Sequence, residues 1–434
     1  MQVGRRILRT ALITGSALGL TAGGAVLAVA SGPAAQASTA CAAAWSSTAV
    51  YTAGNQASEN GINYTANWWT QGNDPATSNG GSGSGQPWTS DGACTGGGGG
   101  TPPGGGGTPP GGGGTGTGSV SGLLFSPYKD VTINMNWNTY QMQSAVEGSA
   151  IPVVGSGSVV STYVPRLPAI TLAFATGACG SETWGGAPAA TWAAENIPQL
   201  NSAGLNYVVS TGGEAGTFTC TSAAGMESFI ARYSSPHLVG IDFDIEGGQS
   251  ESDIQNLVAA AAGAQSTYPN LQFSFTLATL GASDGSYGGV NSLGNEVVEA
   301  VLGSSLKNYV INLMTMDYGS ASSSVCVVVS GSCEMAQSAI QAVENLEHTY
   351  GIPASKIAVT PMIGMNDTTS ETFTTADVDT LTTYAVDNGL AGLHFWSLDR
   401  DTPCADTYAS PTCNSISGTT PLEYTNRFLS DLGD

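Results

Sequence analysis

The chain has few basic residues and almost no histidine. Lysine and arginine number 10 and histidine 3 among 434 residues, against 32 aspartates and glutamates. Arg5, Arg6 and Arg9 lie at the start, so the rest of the chain holds seven basic residues and a formal charge of −25. Such a surface repels nucleic acid and anionic lipid, so we expect neither as a partner. A neutral polymer is a more natural partner.

The scarcity of histidine also bears on metals. Only His237, His348 and His394 are present, and no two of them have the spacing of metal ligands. We therefore predict neither a structural nor a catalytic metal, and no cofactor.

The N-terminus has the pattern of a secretory signal. The three arginines precede an apolar stretch at 11–30, and Ala35, Gln36 and Ala37 supply small residues at a cleavage point. A membrane anchor is the alternative, but glycines and serines interrupt the stretch. We predict a signal peptide at 1–37 and a secreted, extracellular protein that has no membrane partner after cleavage. Arg5 and Arg6 leave the export route open.

A second segment lacks apolar side chains altogether. Residues 95–118 read TGGGGGTPPGGGGTPPGGGGTGTG, which has nothing to bury and is typical of a linker. The linker divides the mature chain into a small domain at 38–94 and a large one at 119–434. We expect the mature protein to be a monomer.

Eight cysteines are distributed in pairs along the chain. An exported chain favours disulfides, and sequential pairing would close each bridge within one domain. Free buried thiols are the alternative, and the sequence alone does not fix the connectivity. The candidates are Cys41, Cys94, Cys179, Cys220, Cys326, Cys333, Cys404 and Cys413.

The large domain repeats short apolar runs, with helix-like segments such as 252–265 and 333–351 between most of them. Eight strand and helix units in this length predict an α/β fold, the (β/α)8 TIM barrel. A doubly wound sheet would need a glycine-rich loop after its first strand, and FSPYKD is not one. The runs are GLLFSPY, AITLAFA, NYVVSTGG, LVGIDFDIE, LQFSFTLA, YVINLMTMDY, KIAVTPMI and AGLHFWSL.

The fourth run carries three carboxylates. Asp242, Asp244 and Glu246 are two residues apart, so on a strand they point to the same face. Three carboxylates in a barrel interior are costly to ionise together, so at least one should hold a proton. Glu246 is nearest the C-terminal mouth, where barrel active sites lie, and is the candidate general acid. An acidic solvent face is the alternative, but the residues between the carboxylates are apolar.

These residues give the region 122–432 a resemblance to glycoside hydrolase family 18. Asp242, Asp244 and Glu246 match its fourth-strand signature D-x-x-D-x-D-x-E, although Val239 stands at the first Asp. Ser210 to Gly213 is similar to the S-x-G-G of the third strand. Further matches, with core packing as the alternative for some, are Met316, Asp317 and Tyr318 on the sixth strand and Trp396 on the eighth.

The resemblance implies a retaining, substrate-assisted chitinase. Glu246 would donate the proton, Asp244 would orient the substrate acetamide and Asp242 would tune Asp244. Ser210, Gly213, Met316, Asp317, Tyr318 and Trp396 would bind substrate. The partners would be chitin and N-acetylglucosamine oligomers. Alternatives are an endo-β-N-acetylglucosaminidase acting on glycans and a non-catalytic chitin-binding lectin, which would typically lack the glutamate.

The N-terminal segment resembles the chitin-binding modules of carbohydrate-binding families 5 and 12. The carrying motifs are A-W-x-x-x-x-x-Y, with Trp45 and Tyr51, and W-W-T-Q-G, with Trp68 and Trp69. We expect a small β-rich module in which Trp45 and Tyr51 are buried. Trp68, Trp69 and Trp88 are the candidates for stacking on sugar rings.

Overall fold

The structure is a computed structural model that describes residues 39–47, 49–51, 55–67, 70–80, 86–95, 117–119 and 121–433. The predicted signal peptide and nearly all of the predicted linker lie outside these residues, as do Trp68 and Trp69. The chain forms two compact units, Met1–Gly111 and Gly112–Asp434. Among the described helices, none has the length and apolar character needed to cross a bilayer.

The first unit is built from short, mostly antiparallel strands around an aromatic core. A four-stranded sheet has the order Thr39–Ala40, Trp88–Thr95, Ile62–Ala66 and Gln56–Glu59, and Val50–Tyr51 pairs with Thr70–Gln71. The Trp88 and Tyr51 rings meet edge to face with centroids 4.9 Å apart. Together with Ala57, Tyr64 and Ala66 they form a small core, and the Cys41–Cys94 bridge adds a covalent constraint to the unit.

The second unit contains a mainly parallel sheet. Each of the eight apolar runs contributes a strand. Numbered in chain order, the eight strands are Leu124–Phe125, Ala169–Ala178, Asn206–Gly212, Leu238–Ile245, Gln272–Ala278, Tyr309–Met314, Ile357–Thr360 and Gly392–Leu393. From the second to the eighth each pairs with the next, and the eighth pairs with the first. Tyr128–Asp130, which follows the first strand, pairs in parallel with residues 171–173 of the second.

Helices alternate with most of these strands and begin and end at conventional signals. Ser250 caps one helix by accepting from the Asp253 N–H, and Gly351, with φ of 66°, ends another in the left-handed conformation. The α-helices are Val159–Tyr163, Ala189–Ala203, Ala223–Tyr233, Glu251–Ala264, Ser292–Gly303, Met335–Tyr350, Thr375–Asp387 and Glu423–Leu432, and the 3-10 helices are Ala354–Lys356 and Leu398–Arg400.

Several short strands lie outside the run of eight. Phe218–Thr219 pairs with the end of Ala169–Ala178, beside which Thr183–Trp184 and Ala187–Pro188 form a hairpin. The remaining pairs are Gln143–Ser144 with Ile151–Pro152, Val328–Val329 with Ser332–Cys333, and Gly364–Met365 with Thr372–Phe373.

Apolar side chains separate the sheet from the helices, and a smaller cluster lies near the beginnings of four strands. That cluster consists of Leu124, Ala169, Val208 and Val239. Val239 therefore packs among apolar neighbours at the position where the family 18 signature has its first aspartate.

The cysteines pair sequentially, so each bridge stays within one unit. The bridges are Cys41–Cys94, Cys179–Cys220, Cys326–Cys333 and Cys404–Cys413.

Candidate active site

The strand Leu238–Ile245 sets the register of the site. Asp242 lies opposite Ser210 on one neighbouring strand and Ser274 on the other, and Asp244 lies opposite Gly212 and Thr276. Both aspartates are buried, whereas Glu246, one residue beyond the strand, is exposed. The three carboxylates therefore run from the interior of the sheet to its C-terminal mouth.

Four hydroxyl groups donate to Asp242. Tyr128 and Ser210 donate to Oδ2 at 3.0 and 2.6 Å. Ser274 and Thr276 donate to Oδ1 at 2.6 and 2.7 Å. A carboxylate has about four acceptor positions, so these donors saturate Asp242 in its ionised form.

A buried amide fixes the direction of this network. Asn312 Nδ2 donates to the Tyr128 hydroxyl at 3.1 Å and to Thr276 Oγ1 at 2.8 Å. Asn312 Oδ1 accepts from the Thr360 hydroxyl at 2.9 Å, so both ends of the amide have partners. Because Tyr128 and Thr276 accept from Asn312, each has its own hydroxyl proton available for Asp242.

Asp244 has no comparable set of donors. Its Oδ1 is buried without a hydrogen-bond partner among the described residues. Burial, then the charges of Glu246 and Asp242, raise the pKa of Asp244 well above its ordinary value. Burial also raises the pKa of Asp242, but the four hydroxyls oppose that rise. The pair is therefore arranged to keep a proton on Asp244.

Glu246 is suited to donating a proton at the mouth. Although the residue as a whole is exposed, the surrounding protein partly desolvates its carboxyl, and this desolvation, followed by the nearby charge of Glu214, raises its pKa above the ordinary value. A carboxylic acid that keeps its proton closer to neutral pH is the type of group that protonates a leaving oxygen. Its position at the end of the strand leaves it accessible to a ligand.

A cleft of about 320 Å³ lies beside Glu246 and brings together three of the predicted site residues. Glu246, Met316 and Asp317 all line it. The rest of its wall consists of Ala278, Thr279, Leu280, Gly289, Asn291 and Met314. Asp317 is half-buried, and burial raises the pKa of its carboxyl.

Trp396 belongs to an aromatic group next to the Asp242 network. Its ring stacks on Phe174 with centroids 5.6 Å apart and lies 6.1 Å from that of Tyr128. Gly213 leaves room for this group, since a Cβ there would lie 2.8 Å from the Phe174 ring. A Cβ on Gly212 would lie 2.1 Å from the Asp244 carbonyl oxygen, so both glycines permit close approach.

Two predicted contacts need correction. Ser210 is fully buried and donates to Asp242, so it supports the carboxylate and does not face the cleft. Tyr318 is only 3% exposed and, like Asp244 and Trp396, does not line this cleft, so its contact with substrate stays a prediction. Trp88 is fully buried, with its indole N–H donating to the Asn73 carbonyl at 2.8 Å. Trp88 is thus a core residue and offers no face for stacking.

The burial expected for the other module aromatics is only partly observed. Tyr51 is buried as predicted, but Trp45 is only partly buried beside the core. Trp68 and Trp69 remain candidates, because they lie outside the described residues.

Sequence reasoning missed the residues that surround Asp242. Ser274 and Thr276 alternate with apolar residues in LQFSFTLA, so the period-two argument used for the carboxylates could have found them. Tyr128 and Asn312 carried no comparable signal, because their partners come from distant parts of the chain.

One group of possible metal ligands occurs among the described residues. Cys404, Asp406 and Cys413 bring three ligand atoms within 4.8 Å of one another. The two cysteines are joined in a disulfide and have no thiolate to offer, so the group does not fit a metal.

Two solved structures are similar to the second unit. The catalytic domain of a hyperthermophilic chitinase from Pyrococcus furiosus is 23% identical, with a TM-score of 0.57, and the match covers 74% of this chain and 98% of that chain. Catalytic-site mutants of active domain 2 of a thermostable chitinase from the same organism, complexed with chito-oligosaccharides, are 22% identical with the same score and the same coverage. At this identity the likeness establishes the fold alone.

The first unit matches a family model by sequence. Residues 44–89 match carbohydrate-binding module family 5/12. Comparison with curated proteins finds no match for the chain.

Proposed function

We propose that this protein is a secreted chitinase that hydrolyses the β-1,4 linkages between N-acetylglucosamine units. The observation that carries the proposal is the order of carboxylates along Leu238–Ile245: Asp242 saturated by hydroxyls, Asp244 buried without a partner, and Glu246 beside the cleft. A carbohydrate-binding segment in the same chain and the fold shared with chitinase catalytic domains support it.

The mechanism in this proposal is the substrate-assisted one that the resemblance to glycoside hydrolase family 18 implies. Glu246 protonates the glycosidic oxygen while the carbonyl oxygen of the substrate's own 2-acetamido group attacks the anomeric carbon. Asp244 orients the acetamide N–H and, when its proton passes to Asp242, offsets the charge of the oxazolinium intermediate, which is how Asp242 tunes Asp244. Water deprotonated by Glu246 then opens the ring, so the anomeric configuration is retained. Asp317, Met316 and Trp396 contact the sugars.

The proposal includes a closed (β/α)8 barrel with an open cleft. The segment 124–130 pairs with both edges of the run of strands, which supports closure. A hairpin and the helix Thr375–Asp387 take up most of the chain between the seventh and eighth strands, leaving no room for an inserted domain there. An open cleft admits the middle of a polymer, so the enzyme acts in the endo mode. Viscosity of a soluble chitin derivative should fall steeply before many reducing ends appear.

The segment 38–94 is the chitin-binding module in this proposal, 95–118 is a linker and 1–37 is a signal peptide. Trp68 and Trp69 stack on sugar rings. Binding of the module to insoluble chitin raises the concentration of the catalytic domain at that surface, but it does not increase the rate on a soluble substrate. Deleting 38–118 should therefore slow attack on insoluble chitin and spare soluble oligomers. Equal loss of both activities would contradict the domain boundary.

The direct test measures reducing ends released from colloidal chitin by wild type and by Glu246→Gln. The variant should fall below about a hundredth of the wild-type rate while oligosaccharide binding persists, because the amide keeps the shape but has no acidic proton. Glu251→Gln, at an exposed carboxylate five residues on, is the matched control and should retain full activity. Near-normal turnover by a folded Glu246→Gln protein would refute the proposal.

A further inference from the structure

A second buried carboxylate lies close to the cleft but plays no part in the reaction described above. Glu371 is 1% exposed and follows the seventh barrel strand. Its Oε2 accepts the backbone N–H of Tyr318 at 3.0 Å, and its Oε1 accepts that of Gly319 at 2.9 Å. One carboxylate thus holds two successive peptide groups of the loop that follows the sixth strand.

The loop around Glu371 makes further contacts with the same segment. The Thr368 N–H donates to Asp317 Oδ1 at 2.8 Å, and the Asp317 N–H donates to Asn366 Oδ1 at 3.4 Å. Asn366 is itself fixed, since its amide donates to the carbonyls of Met362 and Gly364. The loop 366–371 therefore binds both the side chain of Asp317 and the backbone on either side of it.

The conformation of Asp317 explains why such support is needed. Asp317 has a φ of 51°, in the left-handed region that residues with a Cβ adopt only at an energetic cost. Its side chain nevertheless lines the cleft with Glu246 and Met316. Backbone strain at a ligand-facing residue persists only when surrounding contacts over-determine it.

We propose that Glu371 is a positioning residue, whose carboxylate fixes the turn 317–319 and so sets where Asp317 meets the substrate. This inference rests on the proposed function. The two N–H groups contact different oxygens of Glu371, and an amide would set its own N–H donors against one of them. Burial raises the pKa of Glu371 to about 7, a rise opposed by the hydrogen bonds from Tyr318 and Gly319.

Asp401 offers a matched control. It is equally buried and also accepts two successive backbone N–H groups, from Tyr424 at 3.1 Å and Thr425 at 2.7 Å. These donors belong to the helix Glu423–Leu432, which contributes nothing to the cleft wall. Asp401→Asn should therefore reduce stability without changing the affinity for oligosaccharide.

The first experiment follows hydrogen exchange of the Tyr318 and Gly319 amides in the full chain. Glu371→Gln should speed exchange at these amides while the rest of the unit stays protected. Asp401→Asn should instead speed exchange at Tyr424 and Thr425. Unchanged exchange at 318 and 319 in Glu371→Gln would overturn the inference whatever the ligand is, as would a uniform loss of protection.

The second experiment is a double-mutant cycle in the Glu246→Gln protein, measuring the Kd of a chito-oligosaccharide. Asp317→Ala and Glu371→Gln should each weaken binding about tenfold, and the double variant should bind no more weakly than Asp317→Ala alone. Additive effects would overturn the positioning role. If Glu246→Gln binds no oligosaccharide, the proposed function fails, and the exchange experiment alone decides the role of Glu371.

Discussion

Two aspartates on one strand, two residues apart and both buried, have opposite surroundings. Asp242 receives four hydrogen bonds from hydroxyl groups. Asn312 donates to two of these hydroxyls, which leaves their own protons for Asp242. Asp244 has a buried oxygen with no partner among the described residues and lies between two other carboxyl groups. The ionised form of aspartate is therefore stabilised at position 242, whereas its neutral form is favoured at position 244.

The difference teaches where a carboxylate cluster keeps its proton. Repulsion among the three carboxylates requires that the cluster hold a proton, but it does not determine which residue carries that proton. Hydroxyl donors make the choice by stabilising the anion at Asp242, which leaves the proton to Asp244. That position adjoins Glu246, beside which the proposed reaction forms the oxazolinium intermediate, so Asp244 must give its proton to Asp242 before it offsets that charge. Four predictions test the contrast, beginning with the largest expected effect.

Asp244→Asn should lose more activity than Asp242→Asn. Asp244 touches the substrate acetamide in the proposed mechanism, so its replacement should lower kcat by about a hundredfold or more. Asp242 acts only through Asp244, so its variant should lose less. Initial rates on a soluble chito-oligosaccharide measure both. A larger loss for Asp242→Asn would reverse the assigned roles.

The same two variants should differ in stability in the opposite order, with the larger loss in Asp242→Asn. An amide at 242 offers one acceptor oxygen to four hydroxyl donors, so Asp242→Asn should lower the free energy of unfolding by about 1–3 kcal/mol. Asn at 244 replaces a side chain that is already favoured in its neutral form and should cost less. Urea unfolding compares them, and equal losses would mean that the hydroxyls contribute nothing specific to Asp242.

The pH dependence of stability should identify the proton on Asp244. The folded pKa lies well above the ordinary value of 3.8, so above that pH the native state keeps a proton that the unfolded chain releases. Stability contributed by this group is complete below 3.8 and is lost as pH rises through the folded pKa. Wild type should therefore lose stability more steeply than Asp244→Asn between acidic and neutral pH. Parallel urea midpoints would show that Asp244 is ionised.

Removing one hydroxyl donor should give the smallest effect. Tyr128→Phe keeps the ring and deletes one of the four donors to Asp242, at a cost of about 1 kcal/mol. Tyr207→Phe is the control, since its hydroxyl donates to the Tyr233 carbonyl and contacts the Ser235 hydroxyl, away from the carboxylates. Both variants should lose similar stability, but only Tyr128→Phe should alter the activity. Identical activity in the two variants would show that the Tyr128 hydroxyl does not influence Asp242.

Periodicity carried the parts of the prediction that depend on local chain geometry. Eight apolar runs indicated the strands, and two-residue spacing put Asp242, Asp244 and Glu246 on one face, because alternation along a strand is a property of the backbone alone. The position of Glu246 at the C-terminal end of its strand was likewise predictable from the sequence. The cysteine order favoured the sequential pairing that the structure shows, although it did not exclude other connectivities.

Only the tertiary structure decided how those residues are surrounded. Tyr128, Asn312 and Thr360 are far apart in the chain, and the parallel strands bring them into one series of hydrogen bonds that ends at Asp242. Glu371 reaches the turn at Asp317 through a loop whose sequence has no distinguishing pattern, and Trp88 is buried in the core against Tyr51, which its sequence motif did not indicate. Hydrogen bonding and burial depend on neighbours distant in sequence, so spacing identified the acids while packing set their protonation.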